Sequence, residues 1–223
     1  MLIHSMLPRS AVNGPGERVV VWLQGCDLRC PGCWNPSSHG FDRSRDKPVD
    51  EVGEWILSCQ GVEGVTVSGG EPFQQALELR LLCEYLKLRQ PSFSIGLFTG
   101  YTMNELAQGL WRWKQRETDA WVRGDDGLFY AIKQFLDFAV FGRFRQTMAC
   151  SDKPLCGSRN QEVVFLNNRY SQQDLEPQGY EVNISEDGAL ATITGFPPRG
   201  SVDDPTGITP NHVTLYSVPS WRL

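Results

Sequence analysis

Three cysteines, Cys26, Cys30 and Cys33, lie within eight residues of one another. Thiolates are ligands of iron–sulfur clusters and of zinc, so this spacing predicts a metal centre. A cluster of four irons held by only three cysteines leaves one iron with an open coordination position, which a small molecule with an amine and a carboxylate can chelate. Structural zinc takes four ligands, typically two CxxC pairs or one such pair with paired histidines, and neither pattern occurs here. Zinc stays the alternative to iron on the residues alone.

The residues around these cysteines favour a tight loop after a buried strand. Residues 19–23 form a continuous apolar run, which is typical of a strand buried on both faces of a parallel sheet. Gly25 and Gly32 allow close approach of the backbone to a cluster, and Pro31 restricts the turn. The cysteine loop is therefore expected at the carboxyl end of this strand.

A second strand, predicted over residues 62–67, leads into a short motif that can face a ligand. The motif has two glycines, then an acid and a proline that suit the first turn of a helix: Ser68, Gly69, Gly70, Glu71 and Pro72. In a parallel sheet, such a turn places backbone at the carboxyl edge, where ligands bind. An acid at this position is also favoured by the helix dipole alone, so the motif by itself fits a plain strand-to-helix turn.

Both motifs together resemble the radical S-adenosylmethionine (SAM) enzymes, whose signature is CxxxCxxC directly after a strand. More narrowly, residues 14–36 resemble the activating proteins of glycyl-radical enzymes, above all those of anaerobic ribonucleotide reductase. Most of the wider superfamily has an aromatic residue immediately before the last cysteine. Here Gly32 takes that place and the aromatic Trp34 follows Cys33, as in the activases.

The resemblance implies two cofactors and a set of contacts. It assigns Cys26, Cys30 and Cys33 to a [4Fe–4S] cluster whose fourth iron is chelated by SAM. The glycine–acid motif is similar to the superfamily segment that holds the methionine amino group of SAM. Thr99 and Tyr101 belong to a segment, residues 98–102, similar to the third-strand segment of the activases. The cofactor contacts implied in this way are Gly32, Trp34, Ser68, Gly69, Gly70, Glu71, Thr99 and Tyr101.

Residues 136–144 resemble a further activase segment with two acids. Asp137 matches the first acid and is expected at the cofactor site, whereas Phe141 replaces the second. Residues 157–161 are similar to an RGSxNQ stretch, with Cys156 where an arginine is usual. The resemblance covers about three quarters of the chain and fades after residue 168.

Alternating strands and helices predict an α/β fold. The apolar patterns predict strands over residues 19–23, 62–67, 94–98, 136–141 and 162–166, and helices over residues 48–60, 73–89, 103–110 and 128–135. We expect a partial, open, parallel β/α barrel of the radical SAM type over residues 1–170, and a small C-terminal β extension over residues 171–223. The extension is expected to contain a hairpin around residues 186–188 and a strand within residues 212–218. Residues 111–126 are expected to form an insertion that packs on the barrel.

The other four of the seven cysteines lie outside the loop motif. Cys59 and Cys83 fall on the apolar faces of predicted helices and are expected in the core. Cys150 and Cys156 lie in a loop, where they fit a metal pair, a redox pair or two free thiols. Seven cysteines without a signal peptide predict a cytoplasmic protein rather than a disulfide scaffold.

The net charge and the apolar stretches of the chain argue against nucleic acid and a membrane as partners. A net charge of −5 and an isoelectric point near 5.3 argue against nucleic acid, which needs a basic surface. No apolar stretch approaches the length of a membrane span.

Three functions remain open on the sequence. The first is a glycyl-radical activase, which implies a glycyl-radical enzyme as protein substrate and a flavodoxin-like or other one-electron reductant. The second is a radical SAM enzyme that modifies a peptide or a small metabolite, which Phe141, Cys156 and the C-terminal extension favour. The third is a non-catalytic zinc or electron-transfer module, which leaves the glycine–acid motif without a role.

Overall fold

A computed structural model describes residues 1–177, 179–184, 190–196 and 216–217. Helices and strands alternate along most of this part. The strands are β1 (Ile3–Ser10), β2 (Arg18–Leu23), β3 (Gly64–Gly69), β4 (Ser94–Thr99), β5 (Arg112–Lys114), β6 (Trp121–Arg123), β7 (Phe138–Phe141), β8 (Glu162–Phe165), β9 (Tyr180–Ile184), β10 (Leu190–Gly195) and β11 (Tyr216–Ser217). The α-helices are α1 (Val49–Ser58), α2 (Ala76–Arg89), α3 (Met103–Ala107) and α4 (Asp126–Lys133).

A six-stranded sheet with the order β1-β2-β3-β4-β7-β8 forms the centre of the molecule. The four inner strands are parallel, whereas both edge strands are antiparallel to their neighbours. The prediction of a mixed α/β fold with a mainly parallel sheet is confirmed. The outer strand β8 departs from a wholly parallel arrangement, because residues 142–161 contain no α-helical crossover and the chain returns antiparallel to β7.

Alternation along the strands gives the sheet two different faces. One face carries Val19, Val21 and Leu23 of β2 and equivalent apolar residues of β3, β4 and β7, and it packs against the helices in the main core. Helix α2 buries its apolar stripe there, including Cys83 as predicted. Cys59, just after α1, is partly buried and packs against the edge of this core.

The opposite face of the sheet carries a fully buried arginine, Arg18. All five of its N–H groups have acceptors: Thr66 Oγ1, the Pro15 and Val65 carbonyls, the Tyr170 hydroxyl and Ser94 Oγ. Its guanidinium also lies 5.0 Å from the ring centroid of Phe138. A buried charge is tolerated when its hydrogen bonds are satisfied in this way.

Smaller sheets flank the main one. The expected insertion at residues 111–126 contains a hairpin of β5 and β6. In the extension, β9 and β10 pair antiparallel, as the predicted hairpin requires, and β11 pairs with β10. The predicted turn at residues 186–188 and most of the predicted strand at residues 212–218 lie outside the described residues. In the described part of the chain, no helix has both the length and the apolar character needed to span a membrane.

Candidate cofactor site

A cleft opens at the carboxyl edge of the parallel strands, with about 910 Å³ of empty space including the part open to solvent. The loops after β2, β3, β4 and β7 meet there because parallel strands end at the same edge of a sheet. The end of β10 completes the lining. Of the residues predicted from the sequence, the cleft is lined by Cys26, Cys30, Cys33, Trp34, Ser68, Gly69, Gly70, Glu71 and Thr99.

The cysteine loop is held in place by its backbone. Cys26 N donates to the His39 carbonyl at 3.0 Å, and Cys33 N donates to the Cys30 carbonyl at 3.0 Å, which closes the turn between the second and third cysteines. Asn35 N donates to Cys33 Sγ at 3.4 Å. Cys26 is buried, and Cys30 and Cys33 are partly exposed. All three thiols thus belong to one ordered loop beside the cleft.

Burial makes these thiols weak acids while no metal is bound. It raises the pKa of Cys26 to about 12 and raises the pKa values of Cys30 and Cys33. At Cys30 the nearby guanidinium of Arg143 opposes the effect. Metal binding needs the thiolate, so the positive charge of the irons has to offset this desolvation.

Among the described residues, no three Cys, His, Asp or Glu side chains converge as closely as a single metal ion requires. A cubane cluster makes no such demand, since each of three thiolates binds a different iron. The donor set is chemically suited to a cluster of this kind.

Glu71 is the acidic group of the cleft. Its side chain is almost completely buried and caps the short 3₁₀-helix Pro72–Gln75 by accepting from Phe73 N at 2.9 Å. It also accepts from Thr99 Oγ1 at 2.8 Å and from Gly100 N at 2.7 Å. Burial raises the pKa of Glu71 to about 7, although these donors favour the charged form. The carboxyl group can therefore change charge near neutral pH.

The two glycines before Glu71 let the motif pack backbone against backbone on β2 and the cysteine loop. Gly69 has a φ of +98°, and a Cβ there would lie 2.4 Å from Leu23 N. A Cβ on Gly70 would lie 2.3 Å from the Gly25 carbonyl oxygen. Glu71 N donates to the same carbonyl at 2.9 Å. Glycine is thus required sterically, and the motif and the cysteine loop form one unit.

Aromatic rings form another part of the lining. Trp34 lies 5.4 Å from Phe144 and 6.1 Å from Phe196, measured between ring centroids. Phe98 stacks on Phe196 with 6.5 Å between ring centroids. The sequence reasoning did not identify Phe98, Phe144 or Phe196 as site residues, because ring contacts between distant segments leave no local motif.

Three of the predicted residues are not in the lining of this cleft. Gly32 is exposed on the cysteine loop. The Tyr101 hydroxyl accepts from Gln74, and its ring faces a neighbouring groove. Asp137 lies at the amino-terminal ends of the parallel strands, opposite the cleft, where its carboxylate accepts a hydrogen bond from Ile95 N at 2.8 Å. The placement of Asp137 at the cofactor site is corrected for this reason: it precedes the first residue of β7, whereas the cleft is at the carboxyl end.

The loop that carries the remaining two cysteines borders the cleft through Leu155 and Gly157. Cys156 is buried and its thiol contacts the Gln161 carbonyl, whereas Cys150 is partly exposed. Gln161 organises the loop: its Oε1 accepts from Gly157 N at 2.9 Å, and its Nε2 donates to the Gly142 carbonyl at 3.0 Å. The GSRNQ stretch thus fixes the loop after β7 beside the cleft.

Comparison with known families matches residues 12–164 to the 4Fe-4S single cluster domain. The chain belongs to this family. The chain is similar to the anaerobic ribonucleoside-triphosphate reductase-activating protein of Enterobacteria phage T4, with 35% identity over 105 residues that cover 45% of this chain and 67% of the phage protein. The protein of the same name from Vibrio cholerae is 28% identical over 172 residues, covering 73% of this chain and 97% of that protein. The pyruvate formate-lyase-activating enzyme of Staphylococcus epidermidis is 41% identical over 91 residues, covering 38% and 36%.

These relatives confirm the resemblance to glycyl-radical activating proteins that residues 14–36 indicate. The matched segment includes the cysteine loop, the glycine–acid motif and strands β2, β3, β4 and β7 of the main sheet, with β8 as far as Val164. Strand β1 precedes it. Strands β9 and β10 lie beyond the matched segment. The wall of the cleft formed by Phe196 therefore lies outside the matched segment.

Proposed function

We propose that this chain is a radical SAM activating enzyme that abstracts a hydrogen atom from a glycine of a partner glycyl-radical enzyme. The observation that carries the proposal is the arrangement of the cysteine loop and the glycine–acid motif on one cleft, joined by the hydrogen bond from Glu71 N to the Gly25 carbonyl. Radical SAM chemistry uses both motifs, whereas a zinc or electron-transfer module would leave the glycine–acid motif without a role. The names of the relatives support the same assignment.

Cys26, Cys30 and Cys33 would hold a [4Fe–4S] cluster, and the motif after β3 would hold SAM. When both are bound, they would supply one-electron reductive cleavage of SAM to methionine and a 5′-deoxyadenosyl radical. The protein's own part is positional. Backbone carbonyl oxygens of the glycine–acid motif and the Glu71 carboxylate would accept hydrogen bonds from an ammonium group, and Thr99 holds that carboxylate in place.

The fold fits a cofactor domain of the partial-barrel type over residues 1–170. The face of the sheet that carries Arg18 and Phe138 is covered by the loop around Leu155 and by Phe196 rather than by helices. A cleft left open at the strand ends admits a loop of another protein, as an activase requires. Residues 171–223 form the extension in this proposal, and its β10 reaches the cleft.

Anaerobic reconstitution followed by two measurements tests this function. We expect about four irons per chain, and release of 5′-deoxyadenosine from SAM when a one-electron reductant is added. With a candidate glycyl-radical enzyme, we expect a glycyl-radical doublet in electron paramagnetic resonance. A colourless, zinc-loaded protein refutes radical chemistry, and deoxyadenosine release without a glycyl radical on any partner refutes the activase.

A second candidate is a radical SAM enzyme that modifies a peptide or a small metabolite. The observation that favours it is the contribution of Gly195 and Phe196, which lie outside the matched family segment, to the wall of the cleft. A cleft altered in this way can select a different substrate. Deoxyadenosine release that is stimulated by such a substrate, and not by a glycyl-radical enzyme, distinguishes the two.

A further inference from the structure

Phe196 brings an aromatic ring to the cofactor cleft from outside the family's domain. It follows directly after β10, is 9% exposed, and lines the cleft together with Gly195. The matched family segment ends at residue 164. The ring is therefore a feature of this chain's extension rather than of the shared cofactor domain.

Buried hydrogen bonds fix the position of this ring. Asn13 Nδ2 donates to Thr194 Oγ1 at 2.9 Å, and both side chains are buried. Phe196 N donates to the Gly179 carbonyl at 2.7 Å. Gly195 has a φ of +98°, and a Cβ there would lie 2.5 Å from the same carbonyl, so the chain turns tightly just before Phe196. The extension thus docks on the loop before β2 through specific contacts.

Phe196 joins two aromatic residues that flank the proposed cofactor ligands. Its ring contacts Trp34, which follows Cys33 in the sequence, and Phe98, which precedes Thr99. Trp34 and Phe98 are each partly exposed, and both line the cleft. The lining of the cleft accordingly includes polar residues, Ser68 to Glu71, and a group of contacting aromatic rings that contains Phe196.

We propose that Phe196 packs against the adenine end of SAM and so makes the extension part of the cofactor site. This inference rests on the proposed function. SAM has a charged amino-acid end and a planar purine, and the lining of the cleft contains a polar group and an aromatic group that suit these two ends. Purines stack on aromatic side chains, and removal of such a ring weakens binding by about tenfold or more.

Binding of two sulfonium ligands to the reconstituted full-length protein tests the inference. SAM carries the adenosine group, whereas S-methylmethionine has the same amino-acid end and sulfonium without it. Equilibrium dialysis gives the Kd of each ligand for the wild type and for Phe196→Ala, Phe196→Tyr and Val182→Ala. Val182→Ala is the matched control, because Val182 is exposed on β9 of the same extension and does not line the cleft.

We expect Phe196→Ala to raise the Kd for SAM about tenfold and that for S-methylmethionine by no more than about twofold. Phe196→Tyr keeps an aromatic ring and is expected to restore most of the SAM affinity, and Val182→Ala is expected to leave both values unchanged. Unchanged SAM affinity in Phe196→Ala, or equal weakening of both ligands, overturns the inference. A wild-type protein that loads no iron or binds no SAM refutes the proposed function itself, which separates the two failures.

Discussion

Thr99 donates a buried hydrogen bond from Oγ1 to the Glu71 carboxylate at 2.8 Å, and this contact ties the end of β4 to the loop after β3. Gly100 N donates to the other carboxylate oxygen at 2.7 Å. These two hydrogen bonds fix the orientation of the carboxylate within the protein itself. Its burial conflicts with its charge, because neutral donors compensate only part of the lost hydration.

The first prediction concerns the effect of pH on the cofactor-free protein. Burial raises the pKa of Glu71 to about 7 from its ordinary value of 4.5. A carboxyl whose pKa is higher in the folded than in the unfolded state contributes stability at low pH, and that contribution is lost as the pH rises from 4.5 through 7. We expect titration of Glu71 to lower the free energy of unfolding by about 2.5 kcal/mol between pH 5 and pH 8.

Urea unfolding of the wild type and of Glu71→Gln, under nitrogen with a thiol reductant, measures this effect. The amide does not titrate, so subtracting the two curves removes the contribution of all other groups. We expect the wild type to lose stability relative to Glu71→Gln as the pH rises. A difference that stays constant across this range contradicts the prediction.

The second prediction concerns the packing of the glycine–acid motif on the cysteine loop. In Gly70→Ala, the new Cβ would lie 2.3 Å from the Gly25 carbonyl oxygen. That oxygen is a backbone atom, so a change of side-chain rotamer cannot relieve the clash. We expect a loss of about 1–3 kcal/mol of stability from overpacking, together with a lower iron content, because Cys26 directly follows Gly25. Gly40→Ala is the control, since its nearest neighbour is Gln24 Nε2 at 3.8 Å. Equal iron content in both variants contradicts the coupling of the two loops.

The sequence predicted the inner strands of the sheet well, because strands buried on both faces leave continuous apolar runs. The sequence analysis did not predict β1. Apolar and polar residues do not alternate regularly in this strand, which includes Pro8 and Arg9, and a partly exposed edge strand tolerates such a sequence. It also gave no sign of the antiparallel orientation of β8. Strand direction depends on the connection that precedes it, and residues 142–161 carry no pattern that excludes a crossover.

The site was predicted where its residues are close in sequence and was missed where they are not. The cysteines and the glycine–acid motif could be placed together, since both follow parallel strands. Phe196 could not, because its contact with Trp34 depends on how the extension docks. Asp137 was assigned to the cofactor site by the resemblance alone, although it is the second residue of the predicted strand 136–141 and so falls at its amino end.

The third prediction concerns the ligands of the cluster. We expect Cys26→Ala, Cys30→Ala and Cys33→Ala each to reduce the iron content from about four per chain to a small fraction, because each removes one of three thiolates. Iron analysis and the absorption of the anaerobically reconstituted proteins measure this. Cys59→Ala is the control, since Cys59 lies beside the core, and it should cost about 1 kcal/mol of stability without loss of iron. Loss of iron in Cys59→Ala with retention in Cys30→Ala contradicts the ligand assignment.

The fourth prediction concerns Arg18, which is buried on the face of the sheet opposite the helices. Burial lowers the pKa of Arg18, and its five N–H groups reach acceptors on the loop before β2, on β3, on β4 and on Tyr170. In Arg18→Met the apolar volume is largely kept, but these acceptors lose their donors in a site that water does not reach. We expect a loss of about 3 kcal/mol in the free energy of unfolding, measured by urea denaturation.

Arg9→Met is the matched control for Arg18→Met. Arg9 is exposed, and within the described residues its side chain pairs with Glu17, so we expect little change in the free energy of unfolding. If Arg18→Met is as stable as Arg9→Met, the hydrogen bonds of Arg18 offset no more than its own desolvation, and the polar network does not stabilise the sheet. If it is much less stable, Arg18 holds together the strands whose far ends carry the cofactor loops, since it bonds to Thr66 of β3 and Ser94 of β4 at once.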